Sequence, residues 1–262
     1  MQTKFKGMKL LLIDAGNSNI VTGINKDGKW LHNWRMHTVS NKTADEYEVI
    51  LRSLFEKNDL NPKSIDKVVL CTVVPSLLHP MQEMVFKLTG KKLFILNPDL
   101  YPHLPIKIVN PYQIGTDIVA DAVAAYEKYP GNRIIVDFGT ALTFTTIDAN
   151  GNILGVSITP GMKTAINSLM ANTAQLPDVP LKAPPSVLGK NTIHAVQSGV
   201  VLGYVGMIEY MVEQIRKELT GSTTVIATGG LSYVMEDLTQ VFDTVDPFLT
   251  MEGLRLIGER YL

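Results

Sequence analysis

The chain has too little of several things to belong to some large classes. With one cysteine in 262 residues, it has no internal disulfide. Cys71 sits in the apolar run Val68-Val69-Leu70-Cys71, which reads as a buried, reduced strand residue rather than a nucleophile. A reducing compartment, the cytoplasm, is therefore expected. Five histidines are scattered without metal-ligand spacing, so no zinc site is expected. No apolar run approaches the roughly 20 residues of a bilayer span, and the leader Met1 to Gly7 is polar and basic, with an alternative start at Met8. No membrane association is expected. A net charge of −1 lacks the basic surplus of a chain held by phosphate electrostatics, so no nucleic-acid partner is expected either.

What is present is a core-forming composition, 45% hydrophobic and 19% charged, enough for one large or two modest domains. The chain opens on Leu10 to Ile24, an apolar run ending in Asp14, a turn through Ala15-Gly16-Asn17-Ser18-Asn19, and the alternating Ile20-Val21-Thr22-Gly23-Ile24. This pattern predicts two strands joined by a tight hairpin. Small residues at such a tip let backbone N–H groups approach an anion, and Asp14 is placed to hold a metal ion through water. A plain Gly-Asn turn satisfies the same pattern.

A third strand is predicted over 30–38, a helix over 43–57, a strand over 68–73, a helix over 76–88 and a strand over 93–96. Prolines 98, 102, 105 and 111 then mark an irregular crossing. A helix follows from about Gly115 to Tyr129, and a second apolar run ends in Asp137. That run, IIVDFGTALTFTTIDANG at 134–151, echoes LLIDAGNSNIVTGINKDG at 11–28. Asp14 pairs with Asp137, Gly16 with Gly139 and Gly28 with Gly151, at one offset of 123 residues without a gap. An internal duplication accounts for three anchors in register, and two unrelated meanders are the alternative.

The second half repeats the grammar: a strand over 153–158, the turn Thr159-Pro160-Gly161, and a helix from Met162. A Pro-rich loop covers 177–185. A helix over 191–219, whole or broken near Gly203 or Gly206, precedes a strand over 223–227, a Thr228-Gly229-Gly230 turn, a last strand over 241–245 and a helix from Met251. The expected architecture is α/β, two βββαβαβ domains, 1–114 and 115–262. The seam falls within about 110–132, and the last helix is free to pack back on the first domain. Ligand is expected where the two aspartate hairpins face a common cleft.

The segments DAGNSN, CTVVPSL, NPYQIGTD, DFGTALTF, ITPGM, TAQLP, GKNTIHAVQSG, ATGGLS and DPFLTMEGLRLI follow one another in the order seen in type III pantothenate kinases. From about Met8 to the C-terminus the chain resembles that family. The resemblance implies the duplicated ribonuclease H-like (actin-like ATPase) fold of the acetate and sugar kinase, Hsc70 and actin superfamily, and a homodimer. It also implies phosphorylation of pantothenate by ATP with Mg2+ and an activating K+ or NH4+, the first step of coenzyme A synthesis. By the same resemblance the ATP loop falls on Asp14, Ala15, Gly16, Asn17, Ser18, Asn19, Ile20 and Val21, with Thr140 also touching ATP. The general base falls on Asp117, the monovalent-cation ligand on Asp137, and substrate contacts on Gly115, Thr116, Asp117, Ile118 and Thr192, the last of these acting across the dimer.

On its own terms Asp117 reads first as the cap of the helix behind Gly115-Thr116-Asp117. Four positions depart from the family pattern. Its Gly-x-Asp-Arg motif carries Ile118 in place of arginine, Ile108 stands where many relatives have a substrate-contacting tyrosine, Gly155-Val156 replaces Gly-Gly, and Ser18 replaces threonine. Isoleucine cannot bind a carboxylate bidentately. Two outcomes are open: a pantothenate kinase in which Lys107, Lys163 or His103 meets the substrate carboxylate, or a silent ATP-binding relative with a regulatory, transcription-accessory task. A chaperone or phosphatase branch of the superfamily is a further alternative.

Overall fold

The computed structural model describes residues 7–172 and 179–261. The TAQLP segment and most of the polar leader lie outside the described residues. The chain divides into two compact units. One runs up to Ala124 and resumes at Thr250; the other is Ala125–Leu249.

The first unit begins with β1 (Lys9–Ala15), β2 (Asn19–Lys26) and β3 (Lys29–His37), an antiparallel meander. Helix α1 (Ala44–Lys57) starts at a capping box, in which Thr43 and Glu46 satisfy each other's backbone N–H groups. Strand β4 (Lys67–Thr72) lies parallel to β1, α2 (Leu78–Thr89) stops at left-handed Gly90, and β5 (Leu93–Ile95) lies parallel to β4. The sheet order is β3-β2-β1-β4-β5. Alternation along β1 divides its two faces. Leu11, Ile13 and Ala15 join Tyr47, Leu51 and Phe55 of α1 and Met81, Met84 and Val85 of α2 in one core. Leu10, Leu12 and Asp14 point the other way. After the proline-rich crossing comes α3 (Thr116–Lys128).

The second unit repeats the plan. Strands β6 (Asn132–Phe138), β7 (Ala141–Ile147) and β8 (Ile153–Pro160) form the meander, followed by α4 (Met162–Ala171). Helix α5 (Thr192–Gln197) passes through a π-helical turn, Ser198–Leu202, into α6 (Gly203–Glu218). The expected long helix is therefore continuous, with its irregularity just before Gly203. Then come β9 (Thr223–Thr228), α7 (Ser232–Glu236) and β10 (Thr244–Val245). Its sheet order, β10-β9-β6-β7-β8, is the first order again when read from the other end. The duplication read from the sequence is thus present in the topology, and the fold is a duplicated ribonuclease H-like one. Gly28 and Gly151, one of the three paired anchors, both adopt left-handed φ, +77° and +82°, at the second hairpin of their meanders.

Helix α8 (Leu249–Arg260) returns to the first unit. It crosses α3 so closely that a Cβ on Gly253 would lie 1.9 Å from the carbonyl oxygen of Ala120. Only glycine fits there. Lys67 Nζ donates to the Gly258 carbonyl at 2.9 Å, fixing the end of α8 to β4.

Candidate active site

Directly paired residues on neighbouring strands project from the same side of a sheet. In the first unit Asp14 pairs with Val21 and with Cys71, and Val21 pairs with Arg35. Arg35, Val21, Asp14 and Cys71 therefore form one row, on the face opposite the α1–α2 core. The Cys71 thiol donates to Asp14 Oδ1 at 3.1 Å. Burial pushes the Asp14 carboxyl up to about 6; the thiol hydrogen bond and Arg35 pull it down, and the charge of Asp117 pushes it up. The Cys71 thiol is itself held well above the usual thiol range, by burial and then by the charges of Asp14 and Asp117. It is a protonated donor and no nucleophile.

Asp117 comes to this group on the first turn of α3. Thr116 Oγ1 donates to the Thr72 carbonyl at 3.0 Å, fixing the start of the helix at the end of β4. The Ile118 N–H donates to Asp117 Oδ1 at 2.8 Å, so part of the expected helix-start role is real. Burial raises the Asp117 carboxyl against that bond. Gly115 has a physical reason to be glycine, since a Cβ there would sit 2.4 Å from Asp117 Oδ1. Two raised carboxyls, with the charge of Asp117 acting on Asp14, can between them accept a hydroxyl proton and order the water shell of a hard cation.

The hairpin tip beside Asp14 is held from outside. The Gly16 N–H donates to the Asn19 carbonyl at 3.0 Å, and the Thr38 N–H to the Ser18 carbonyl at 3.1 Å. Thr38 Oγ1 also donates to the Gly16 carbonyl at 2.6 Å. Asn17 and Ser18 remain exposed.

The second hairpin follows the same scheme. Asp137 pairs with Thr143 and with Thr228. Gly139 N–H donates to the Ala141 carbonyl at 3.0 Å, and Gly161 N–H to the Thr140 carbonyl at 2.9 Å. Thr164 Oγ1 also donates to that carbonyl, at 2.6 Å. A Cβ on Gly161 would meet the Gly139 carbonyl oxygen at 2.3 Å, and one on Gly229 would meet Asp137 Oδ1 at 2.3 Å. Glycine at both positions lets backbone close over the aspartate. Thr228 is fully buried, and its hydroxyl makes no hydrogen bond among the described residues. A carboxylate, an orphaned hydroxyl and Thr143 on one row form an oxygen donor set that fits a hard monovalent cation.

The type III pantothenate kinase family model matches residues 10–214. A type III pantothenate kinase from Moorella thermoacetica is 42% identical over 251 residues, 96% of this chain and 99% of that protein. One from Exiguobacterium sibiricum is 40% identical over the same shares of the two chains. The chain belongs to the type III pantothenate kinase family. Among solved structures, a Campylobacter jejuni protein described as a Baf family transcriptional activator matches with a TM-score of 0.57 and 21% identity. The match covers 95% of this chain and 98% of that one, and a likeness at that identity speaks to fold alone.

Of the residues that the family resemblance marks, the structure gathers the Asp14–Val21 hairpin and Gly115 to Ile118 in the first unit, and Asp137 with Thr140 in the second. Thr192 stands apart, exposed in the first turn of α5 behind its cap Asn191, whose Oδ1 accepts the His194 N–H at 2.9 Å. The departure at Gly155-Val156 is sterically free, because a Cβ on Gly155 meets nothing within 4 Å. Ile108 lines a cavity and Ile118 is half-buried. Arg35, Cys71 and Thr228 escaped the sequence reading as partners of the two aspartates. Each looked like an ordinary strand or turn residue, and only cross-strand register reveals the rows they share.

Proposed function

We propose that this protein phosphorylates the terminal hydroxyl of pantothenate with ATP, giving 4'-phosphopantothenate in the first step of coenzyme A synthesis. The observation that carries this reading is the raised pair Asp14 and Asp117, beside an exposed small-residue tip, in a chain of this family. Phosphoryl transfer asks for an aligned hydroxyl and neutralised phosphates. Asp117 accepts the hydroxyl proton as transfer proceeds. The backbone of the tip at 15–19 cradles phosphate, and Thr140 contacts ATP. Asp14 holds Mg2+ through water, and Asp137 with the Thr228 hydroxyl holds K+ or NH4+. These ions supply charge neutralisation at the phosphates when bound.

A homodimer completes the reading, with Thr192 reaching the partner's substrate. The stretch Thr192–Glu218 supports it: this helical run of 27 residues is apolar enough by length and composition to cross a membrane, yet only 22% of its most apolar window is buried. Tyr210 is 62% exposed upon it. The Glu213–Lys217 ion pair and Arg216 near its end suit a soluble protein–protein face better than a bilayer core. The proposed location is the cytoplasm, with no membrane or nucleic-acid partner. Ile118 and Ile108 are what speak for the regulatory alternative, and no relative supports it better than the kinase.

A coupled ATP assay in K+ or NH4+ buffer, with and without pantothenate, tests the function. Pantothenate-dependent ADP release is the expected result. ATP binding without that release sinks the kinase reading.

A further inference from the structure

The arginine of the family's Gly-x-Asp-Arg motif is Ile118 here, so a substrate with a carboxylate at one end needs a cation from elsewhere. The proline-rich crossing supplies a place for one. Between residues 98 and 111 it lines a half-open cavity of about 410 Å³, room for a small organic acid. Its wall is apolar or aromatic (Pro98, Tyr101, Leu104, Ile106 and Ile108 among others), and among the described residues Lys107 is the single charged one in it. Lys107 is exposed, and its ammonium makes no ion pair or hydrogen bond among the described residues.

Tyr101 ties this cavity to the carboxylate pair. It lines the cavity and is itself 4% exposed. Its hydroxyl is pushed up to about 12, chiefly by burial and then by Cys71 and Asp117. Geometry makes the same link. The crossing leaves β4 where the Leu96 N–H donates to the Leu70 carbonyl at 2.8 Å, and returns to it where Thr116 Oγ1 donates to the Thr72 carbonyl at 3.0 Å. The loop that walls the cavity therefore begins and ends at the strand end where Asp117's helix starts. Other cations are committed or misplaced. Arg35 stands in the row of Asp14 and acts on that carboxyl. His103 lies in the short turn Tyr101–His103, and neither it nor Lys163 is in the lining.

We propose that Lys107 receives the substrate's carboxylate in this chain. The apolar middle of the substrate lies against Tyr101, Ile106 and Ile108, and its hydroxyl end reaches Asp117. This rests on the kinase reading above. An ammonium is a compact point charge without the planar fork of arginine, so it selects for negative charge at that end rather than for bidentate geometry.

The test compares pantothenate with panthenol, which keeps the reacting hydroxyl and replaces the carboxylate by an alcohol. Lys107→Gln is expected to lower kcat/KM for pantothenate about ten- to a hundred-fold, through KM. It should leave panthenol turnover and the KM for ATP unchanged. Equal loss for both acceptors would mean a structural role and overturns the proposal, as does no loss for either. Arg35→Gln, run in parallel, overturns it if that change and not Lys107→Gln erases the preference for pantothenate. If the wild type turns over neither acceptor, the kinase reading fails, and calorimetric titration of pantothenate still reads Lys107. Binding lost in Lys107→Gln supports the assignment; binding retained there, or absent from the wild type, overturns it.

Discussion

The two halves of the molecule carry the same hairpin with different partners. In the first, the tip runs over Gly16 to Ser18 and closes from Gly16 to Asn19; in the second it holds only Gly139 and Thr140 and closes from Gly139 to Ala141. Beside the wider tip the aspartate has a thiol and a guanidinium in its row; beside the tighter one it has two threonine hydroxyls. Donors and a cation around Asp14 set how readily it ionises. Hydroxyl oxygens in the row of Asp137 add to its oxygen donor set. The same hairpin thus carries a carboxylate tuned by a thiol and a guanidinium in one half, and a carboxylate flanked by threonine hydroxyls in the other, where the cation site is proposed. The difference lies in side chains that the paired anchors do not include.

The largest effect should come from the first half. Asp117→Asn keeps the size and the helix start but removes the proposed proton acceptor. It should lower kcat by about 10²–10⁴-fold while ATP binding, read by calorimetry, persists. A variant that keeps its turnover would dismiss Asp117 as base.

Asp14 offers a contrast between stability and function. Its folded-state carboxyl is raised to about 6 from 3.8, so the folded state binds the proton more tightly than the unfolded one. Stability from this group is full below the unfolded value and is lost as pH rises through 6. Asp14→Asn should therefore stabilise the metal-free protein at pH 7, by about 2–3 kcal/mol at most. The gain should vanish near pH 3.5 in denaturant titrations, and Mg-ATP binding should be lost at every pH. Asp14→Asn with unchanged or lower stability at pH 7 would mean that the burial of this carboxylate is without strain.

Much of this was legible in the sequence because glycine and proline report on backbone geometry directly. Gly16, Gly139, Gly28 and Gly151 marked the turns, Asp14 and Asp137 the strand ends, and four prolines the crossing that lines the cavity. What could not be read depended on register between distant segments. Cys71 was rightly taken as a buried strand residue, but its direction follows from pairing with a strand 57 residues away. The last strand was expected over 241–245 and covers only Thr244–Val245. The Asp243 side chain accepts the Val225 N–H at 2.7 Å, taking a bond that a longer ladder would have used. Arg35 alternates outward from β3 and carries the signature of any solvated edge residue.

In the second half, Thr228→Val separates ligand from packing. The swap keeps the shape and removes a buried hydroxyl without a partner among the described residues, so the metal-free protein should be as stable as before or slightly more so. The K+ concentration for half-maximal activity should rise about tenfold, the loss of one oxygen ligand to a hard cation. The KM for pantothenate should not move. An unchanged K+ requirement would take Thr228 out of the cage and leave Asp137 to hold the ion without it.

The smallest effect tests whether Cys71 tunes Asp14 as the row implies. The thiol hydrogen bond lowers the Asp14 carboxyl against burial, so removing the donor should raise it. Cys71→Ala should shift the acidic limb of kcat/KM for ATP to higher pH, by about half a unit to one unit. Cys71→Ser, which restores a donor in the same place, should return the limb towards its original position. The basic side of the profile should not change in either variant, because Cys71 stays protonated throughout. A general loss of packing would instead lower activity evenly across pH, and serine, smaller and more polar in an apolar strand, would not rescue it. The two variants therefore separate a donor aimed at a carboxylate from a sulfur that merely fills space.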